Sequence, residues 1–242
     1  MFGLFGNKVE RLKKAACQRY GQHEPRRDAM IKLLAMKTVE AYSAALSRFT
    51  VNADSPHWDE KEKSWLAAQL RTRGDDTALI DALGELLKTG ERLNQALAVA
   101  AELMPEEDYA SQVQAAFERR LGDHRAVDAC VELTVALGDL GGDQALQAGL
   151  AAVGDHNDEV VLAGLSVLES HGGDAVAAPL FGVAFDPLQM PRVVRRAGAV
   201  LARLGLSDPE GRDEIPEALA EDFQFEGGRL VARSASKPHN DH

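Results

Sequence analysis

Apolar side chains return every three or four residues along most of this chain, the spacing that lines one face of a helix. Val160, Ala163, Leu165 and Leu168 form one such stripe, and Val193, Val194, Ala197, Val200, Leu201 and Leu204 another. Turn residues interrupt the stripes at a fixed interval: Gly90, Gly122, Gly154 and then Asp186 stand 32 residues apart, each ahead of a new apolar run. A second break falls inside each repeat, at Gly141-Gly142, Gly172-Gly173 and Gly205, where glycine can supply the left-handed residue that ends a helix. The spacing therefore predicts repeats of two short helices. Asp123, Asp155, Asp174 and Asp186 stand where a carboxylate would cap the free amides of the helix that follows.

The first part of the chain is less regular. Lys8–Tyr20, Pro25–Met36, Thr38–Phe49, Glu60–Arg73 and Thr77–Thr89 read as helices, with proline accommodated in a first turn. Between them RFTVNADSPHWDEKEK, from Arg48, lacks a helical pattern and reads as a loop, extended at Phe49–Asn52. After Gly205 a short helix is expected over Asp213–Asp222. FQFEGGRLV, from Phe223, then alternates around Gly227-Gly228, the signal of a hairpin with a tight primed turn. The remaining polar ARSASKPHNDH reads as disordered.

One helical pair cannot bury its own apolar face, so serial stacking must build the core. The predicted fold is all-α, a right-handed α-α superhelix of about five pairs with a short C-terminal β-hairpin. Its plan is a basic amphipathic cap over 1–23, helical-pair repeats over 24–205, a cap of short helix and hairpin over 206–233, and a tail over 234–242.

Composition agrees. Aromatic residues are 5% of the 242, too few for the sandwiches and barrels that draw on such side chains. Cys17 and Cys130 lie far apart, so neither a disulfide framework nor a zinc ribbon is read from them, and a reducing compartment fits. MFGLFG is too short for a signal-peptide core, and no apolar run approaches the roughly 20 residues that cross a bilayer, so a cytoplasmic place is expected. The net charge of −11 argues against a general nucleic-acid binder. It is unevenly spread: residues 1–48 carry 10 Lys/Arg against 4 Asp/Glu, and residues 49–242 carry 17 against 34.

DPLQMPRVVRRAGAVLARLG, from Asp186, resembles HEAT-like repeats of the phycobilisome-lyase type, with Val194, Arg195, Ala197 and Gly205 on the shared pattern. The repeat from Asp155 keeps the apolar positions but lacks the arginine. The stretch from Glu24 to Leu66 is similar to the signature of an uncharacterised bacterial family of HEAT-repeat proteins, in which L-x-R-F-T precedes an acidic helix start. Leu46, Arg48, Phe49, Thr50, Asp59, Glu60, Lys61 and Glu62 stand at those positions, and the MPEED at Met104 and the late hairpin also fit. The resemblance implies a HEAT/armadillo-like solenoid and no particular reaction.

Candidate chemistry is sparse. His124 and His156 are also 32 apart, with Asp123, Asp155 and Asp158 nearby, but no ligand spacing reinforces them and they read as exposed turn residues. A nucleophile elbow, a P-loop and a dinucleotide fingerprint are all missing, so the expectation is a chain that is not an enzyme, without cofactor or metal. Cys17 and Cys130 read as small buried hydrophobes, and Glu106, Glu107 and Asp108 as a helix start.

Three features remain. Arg48, Phe49 and Trp58 in the loop, with Trp65 beyond it, concentrate scarce aromatic surface of the kind that anchors interfaces, or cover a gap between helical pairs. The N-terminal helix, with Lys8, Arg11, Lys13, Lys14 and Arg19, is read as a cap with solvated cations. Asp81, Glu85, Gln114, Glu118, Gln144 and Gln147 are placed on a concave groove that would favour a basic or polar peptide. The expected function is a non-enzymatic scaffold that binds another protein or peptide, as a monomer, without nucleic acid or a membrane span. The rival is a chromophore-binding protein like the bilin lyases, which the repeat resemblance implies.

Overall fold

The computed structural model describes residues 3–74 and 76–233, with side chains from residue 8 onward. The helices fall into two compact halves, Met1–Arg120 and Leu121–His242. The N-terminal half holds α1 (Gly3–Ala16), α2 (His23–Leu34), α3 (Val39–Leu46), a 3-10 turn (Ser47–Thr50), α4 (Pro56–Arg71), α5 (Thr77–Thr89), α6 (Asn94–Leu103) and α7 (Glu106–Arg120). The C-terminal half holds α8 (Val127–Leu140), α9 (Gly142–Val153), α10 (Asp158–His171), a 3-10 turn (Asp174–Val176), α11 (Ala177–Ala184), α12 (Pro191–Leu204) and α13 (Glu217–Ala220). The strands β1 (Phe223–Glu226) and β2 (Arg229–Ala232) close it.

The fold is all-α with a two-stranded hairpin, and within each half the helices stack in series. In the C-terminal half α8 packs on α10 and α10 on α12, while α9 packs on α10 and α11. In the N-terminal half α1 docks on α2 and α3, α3 packs on α5, and α4 on α6. The 32-residue interval marks the turns between α5 and α6, α7 and α8, α9 and α10, and α11 and α12.

The shared interval does not mean a shared backbone. Gly122 has φ +80 in the left-handed region, whereas Gly90 and Gly154 lie at −72 and −88. Gly141 and Gly205 end helices left-handed, but Gly172 is extended, and a Cβ there would run into the carbonyl of Leu168. Other glycines serve proximity. A Cβ on Gly164 in α10 would lie 2.9 Å from the carbonyl oxygen of Gly149 and 2.9 Å from the amide nitrogen of Val153, so the α9 and α10 backbones almost touch.

Several boundaries differ from the sequence reading. The aspartates do not cap helices: Asp123, Asp155 and Asp186 accept from the amides two residues on, closing Asx turns ahead of α8, α10 and α12. Asn157 caps α10 instead. Asp155 is nearly buried and also accepts from the amide of Gly122 at 2.9 Å, tying two successive turns together. The helix expected over Asp213–Asp222 shrinks to α13, because Pro216 disfavours helical backbone at Ile215 and leaves its own residue as the cap. The primed hairpin forms as expected, with φ of +58 at Gly227 and +79 at Gly228. The proposed tail over 234–242 lies outside the described residues. No helix among the described residues is long and apolar enough to cross a membrane.

Candidate functional site

The irregular stretch after Arg48 is shorter than its sequence suggests, and its end is helical. Arg48 and Phe49 lie in the 3-10 turn, while Pro56 takes the first-turn position where a missing N–H costs nothing and opens α4 four residues before Glu60. Trp58 is therefore on the first turn of α4 rather than in the loop, with Trp65 two turns further along the same face.

This placement overturns the contact role expected of two residues. Arg48 is 1% exposed and Phe49 4%, so neither presents surface to a partner. Arg26 and Arg48 are the two largest fully buried side chains among the described residues, and both converge on Glu62 of α4. The Nε of Arg26 donates to both carboxylate oxygens of Glu62 at 3.0 Å. Arg48 donates to Oε2 through Nε at 3.2 Å and Nη2 at 2.8 Å. The remaining donors of Arg48 hold the loop: Nη1 donates to the carbonyl of Val51 at 2.6 Å, and Nη2 to Asp59 Oδ1 at 2.6 Å. Asp59 Oδ1 also accepts from the amide of Ala53, and Lys63 bridges Asp59 Oδ2 and Asn52 Oδ1. Burial raises the pKa of Asp59, but hydrogen bonds from Lys63, Ala53 and Arg48 outweigh it and hold the carboxyl below its ordinary value.

The cluster is cohesive but chemically quiet. Its carboxylates are tied up by guanidinium, ammonium and backbone N–H donors, and the lowered Asp59 carboxyl is not poised to give up a proton as a general acid. Nearby, burial pushes the Cys17 thiol up and so favours its protonated form, an effect that the cation of Arg48 only partly offsets.

On the outer side of the same two helices lies a different arrangement. His23 of α2 stacks on Trp58 with ring centroids 3.7 Å apart and planes 10° from parallel. The Lys61 ammonium lies 5.1 Å from the same indole centroid, and the Arg27 guanidinium 4.9 Å from that of Trp65. The pairs 23 with 58, 26 with 62, and 27 with 65 advance together, so α2 and α4 run the same way side by side. Ile31, exposed, extends the row of His23 and Arg27 by another turn. Trp58 is 37% exposed while held rigidly from one side.

The other expected contact residues scatter. Asp81 and Glu85 are exposed on α5, where Glu85 pairs with Lys88 at 2.8 Å. Gln114 and Glu118 lie one turn apart on α7, the amide donating to the carboxylate at 2.8 Å. Gln144 and Gln147 are exposed on α9, in the other half. A separate polar cleft of about 440 Å³ is lined by Lys37, Thr72, Arg73, Gly74, Asp76 and Thr77. Asp76, one of these lining residues, caps α5 and accepts from the buried Tyr42 hydroxyl at 2.6 Å. Burial and that carboxylate push the phenol up to about 12.

No protein-family profile and no curated protein matches the chain. Among solved structures it is similar to human deoxyhypusine hydroxylase in complex with glycerol. The two share 14% identity over 88% of each chain, with a TM-score of 0.34. That protein is an enzyme, which corrects the expectation that this chain is not one: helical architecture and the lack of a catalytic motif do not exclude chemistry. At this TM-score the likeness assigns no reaction here.

Sequence reasoning found Trp58 and Trp65 but missed His23, Arg27 and Lys61, which complete the surface. The signal was Pro56 after Ser55: once it is taken as a helix start, residues 58, 61, 62 and 65 fall on one face.

Proposed function

We propose that this chain is an interaction module that binds another protein through the outer surface of α2 and α4, with Trp58 as its anchor. One observation carries the reading: an indole stacked at 3.7 Å on His23, and so already ordered, still offers more than a third of its surface to solvent. Little side-chain entropy remains to be lost on binding, and tryptophan and arginine dominate the residues that hold interfaces together. The buried Arg26–Glu62–Arg48 cluster supports this reading by fixing the loop that precedes α4. A cytoplasmic setting and membership of the uncharacterised bacterial HEAT-repeat family belong to the same proposal, on the strength of the Arg48–Glu62 signature and the well-separated cysteines.

The test places a photo-crosslinking benzoylphenylalanine at Ile31, beside the anchor, and separately at Asp81 on α5. Exposure to light in a lysate of the source cells should give a discrete adduct from position 31 that excess unmodified protein competes away and Trp58→Ala abolishes. An adduct from position 81 alone, or one at 31 indifferent to Trp58, overturns the proposal.

A further inference from the structure

The chemistry of this surface narrows the partner. Three cations here sit over aromatic rings: Arg27 over Trp65, Lys61 over Trp58, and Arg19 over Tyr20 at 5.6 Å, in the turn leading to α2. Among the described residues none of the three lies within ion-pair distance of a carboxylate. Asp28 is exposed on α2 next to Arg27 without pairing with it, and Glu24 lies 3.3 Å from His23 Nδ1. Elsewhere arginines of this acidic chain are engaged: Arg192 by Asp158 and Glu159, Arg196 and Arg203 by Glu169, Arg71 by Glu102. A cation resting on a ring keeps its outward N–H groups hydrated and available, while the ring holds the side chain in place.

We infer that the strip formed by Arg19, Tyr20, His23, Arg27, Trp58 and Lys61 takes an acidic peptide segment of a partner protein. Carboxylates of that segment pair with Arg27 and Lys61, and its stems cover the exposed part of Trp58. This rests on the contact role proposed above and specifies what fills it. A nucleic acid would also meet rings and cations, but it carries a charge on every phosphate, and the field of a chain at −11 opposes a polyphosphate track longer than the strip. A few carboxylates need only the local cations. A second copy of this chain could offer acids too, since Asp213, Glu214, Glu217 and Glu221 are exposed in the C-terminal half.

The chain supplies its own probe, because its two tryptophans are Trp58 and Trp65. The 242-residue chain is titrated with a ten-residue peptide alternating glutamate and alanine, with the same peptide carrying glutamine, and with oligothymidylate of equal length, while tryptophan fluorescence is recorded. The glutamate peptide should give a saturable change that weakens with added salt. In Arg27→Gln/Lys61→Gln, whose changes are on exposed side chains and whose fold is checked by circular dichroism, binding should weaken about tenfold. An equal response to the glutamine peptide overturns the inference, as does no response to the glutamate peptide. Tighter binding of oligothymidylate would make the partner a nucleic acid instead. A spectral change on concentrating the protein alone, with a dimer in sedimentation, would make it a second copy. Should the acidic peptide fail while position 31 still captures a Trp58-dependent partner, the contact surface stands and its assigned chemistry falls.

Discussion

The two halves of this molecule solve the same packing problem with different materials. In the C-terminal half the core between α10, α11, α12 and the hairpin is hydrocarbon throughout, from Val161 and Leu165 to Leu201, Leu219 and Leu230. Its buried polar side chains among the described residues are Thr134, which bonds back to its own helix, and Asp155 and Asp208, which close turns. In the N-terminal half, where α3 hands over to α4 through an irregular crossing, the interior contains Arg26, Arg48, Glu62 and Lys63. Regular repeats bury alkyl surface against the next copy. A crossing with exposed backbone amides and carbonyls needs long polar side chains to satisfy them, and these bring charge inside with them.

The contrast can be broken at its most loaded point. Glu62→Ala removes the one carboxylate both buried arginines share, leaving Arg26 buried without a carboxylate and Arg48 with Asp59 alone, and should cost about 3–5 kcal/mol of stability. Urea unfolding followed by tryptophan fluorescence reports it directly, since both indoles lie on α4. A loss no larger than an exposed substitution gives, about 0.5 kcal/mol, would mean that water reaches the cluster and that the two interiors are alike.

The matching change in the hydrocarbon half is Leu201→Ala, which leaves a void in the apolar core around α12 rather than an unpaired charge. It should cost about 2–5 kcal/mol, read as faster amide exchange along α12. Its cost should not depend on salt or on pH in the neutral range, because no titrating group is uncovered.

A smaller effect sharpens the comparison with pH. The Tyr42 phenol is raised to about 12 by burial and by Asp76, against about 10 in an unfolded chain. The folded state thus keeps its proton longer: the stabilisation is complete below pH 10 and is lost between pH 10 and about 12. Tyr42→Phe should cost about 2 kcal/mol at neutral pH by removing a bond to a charged acceptor, and should flatten that alkaline limb. Phenolate absorbance measured alongside the unfolding midpoint checks both.

The C-terminal half was easy to read for the reason that it is hydrocarbon. A stripe such as Val193, Val194, Ala197, Val200 and Leu201 can serve only one face, and the period of its turns located the helices that follow them. Backbone detail was less legible. Gly90, Gly122 and Gly154 share a spacing but not a conformation, because one glycine relieves a clash and another supplies a positive φ. In the N-terminal half Arg48 looked like a surface residue because arginine is charged, and its burial depends on Glu62 and Asp59, 14 and 11 residues away. Pairings at that range leave no periodic trace. The same holds for the surface strip, where His23 meets Trp58 only because α2 and α4 lie side by side.

One consequence follows from the near contact of α9 and α10. Where Gly164 faces Gly149 and Val153, the separation of two neighbouring layers is fixed by the lack of a side chain, so the array has a locally defined thickness that hydrophobic repacking cannot widen gradually. In a library of substituted sequences this seam would act as a fixed pin: the leucines around it can be exchanged for other aliphatics of similar bulk, while position 164 admits a methyl group only if the layers part.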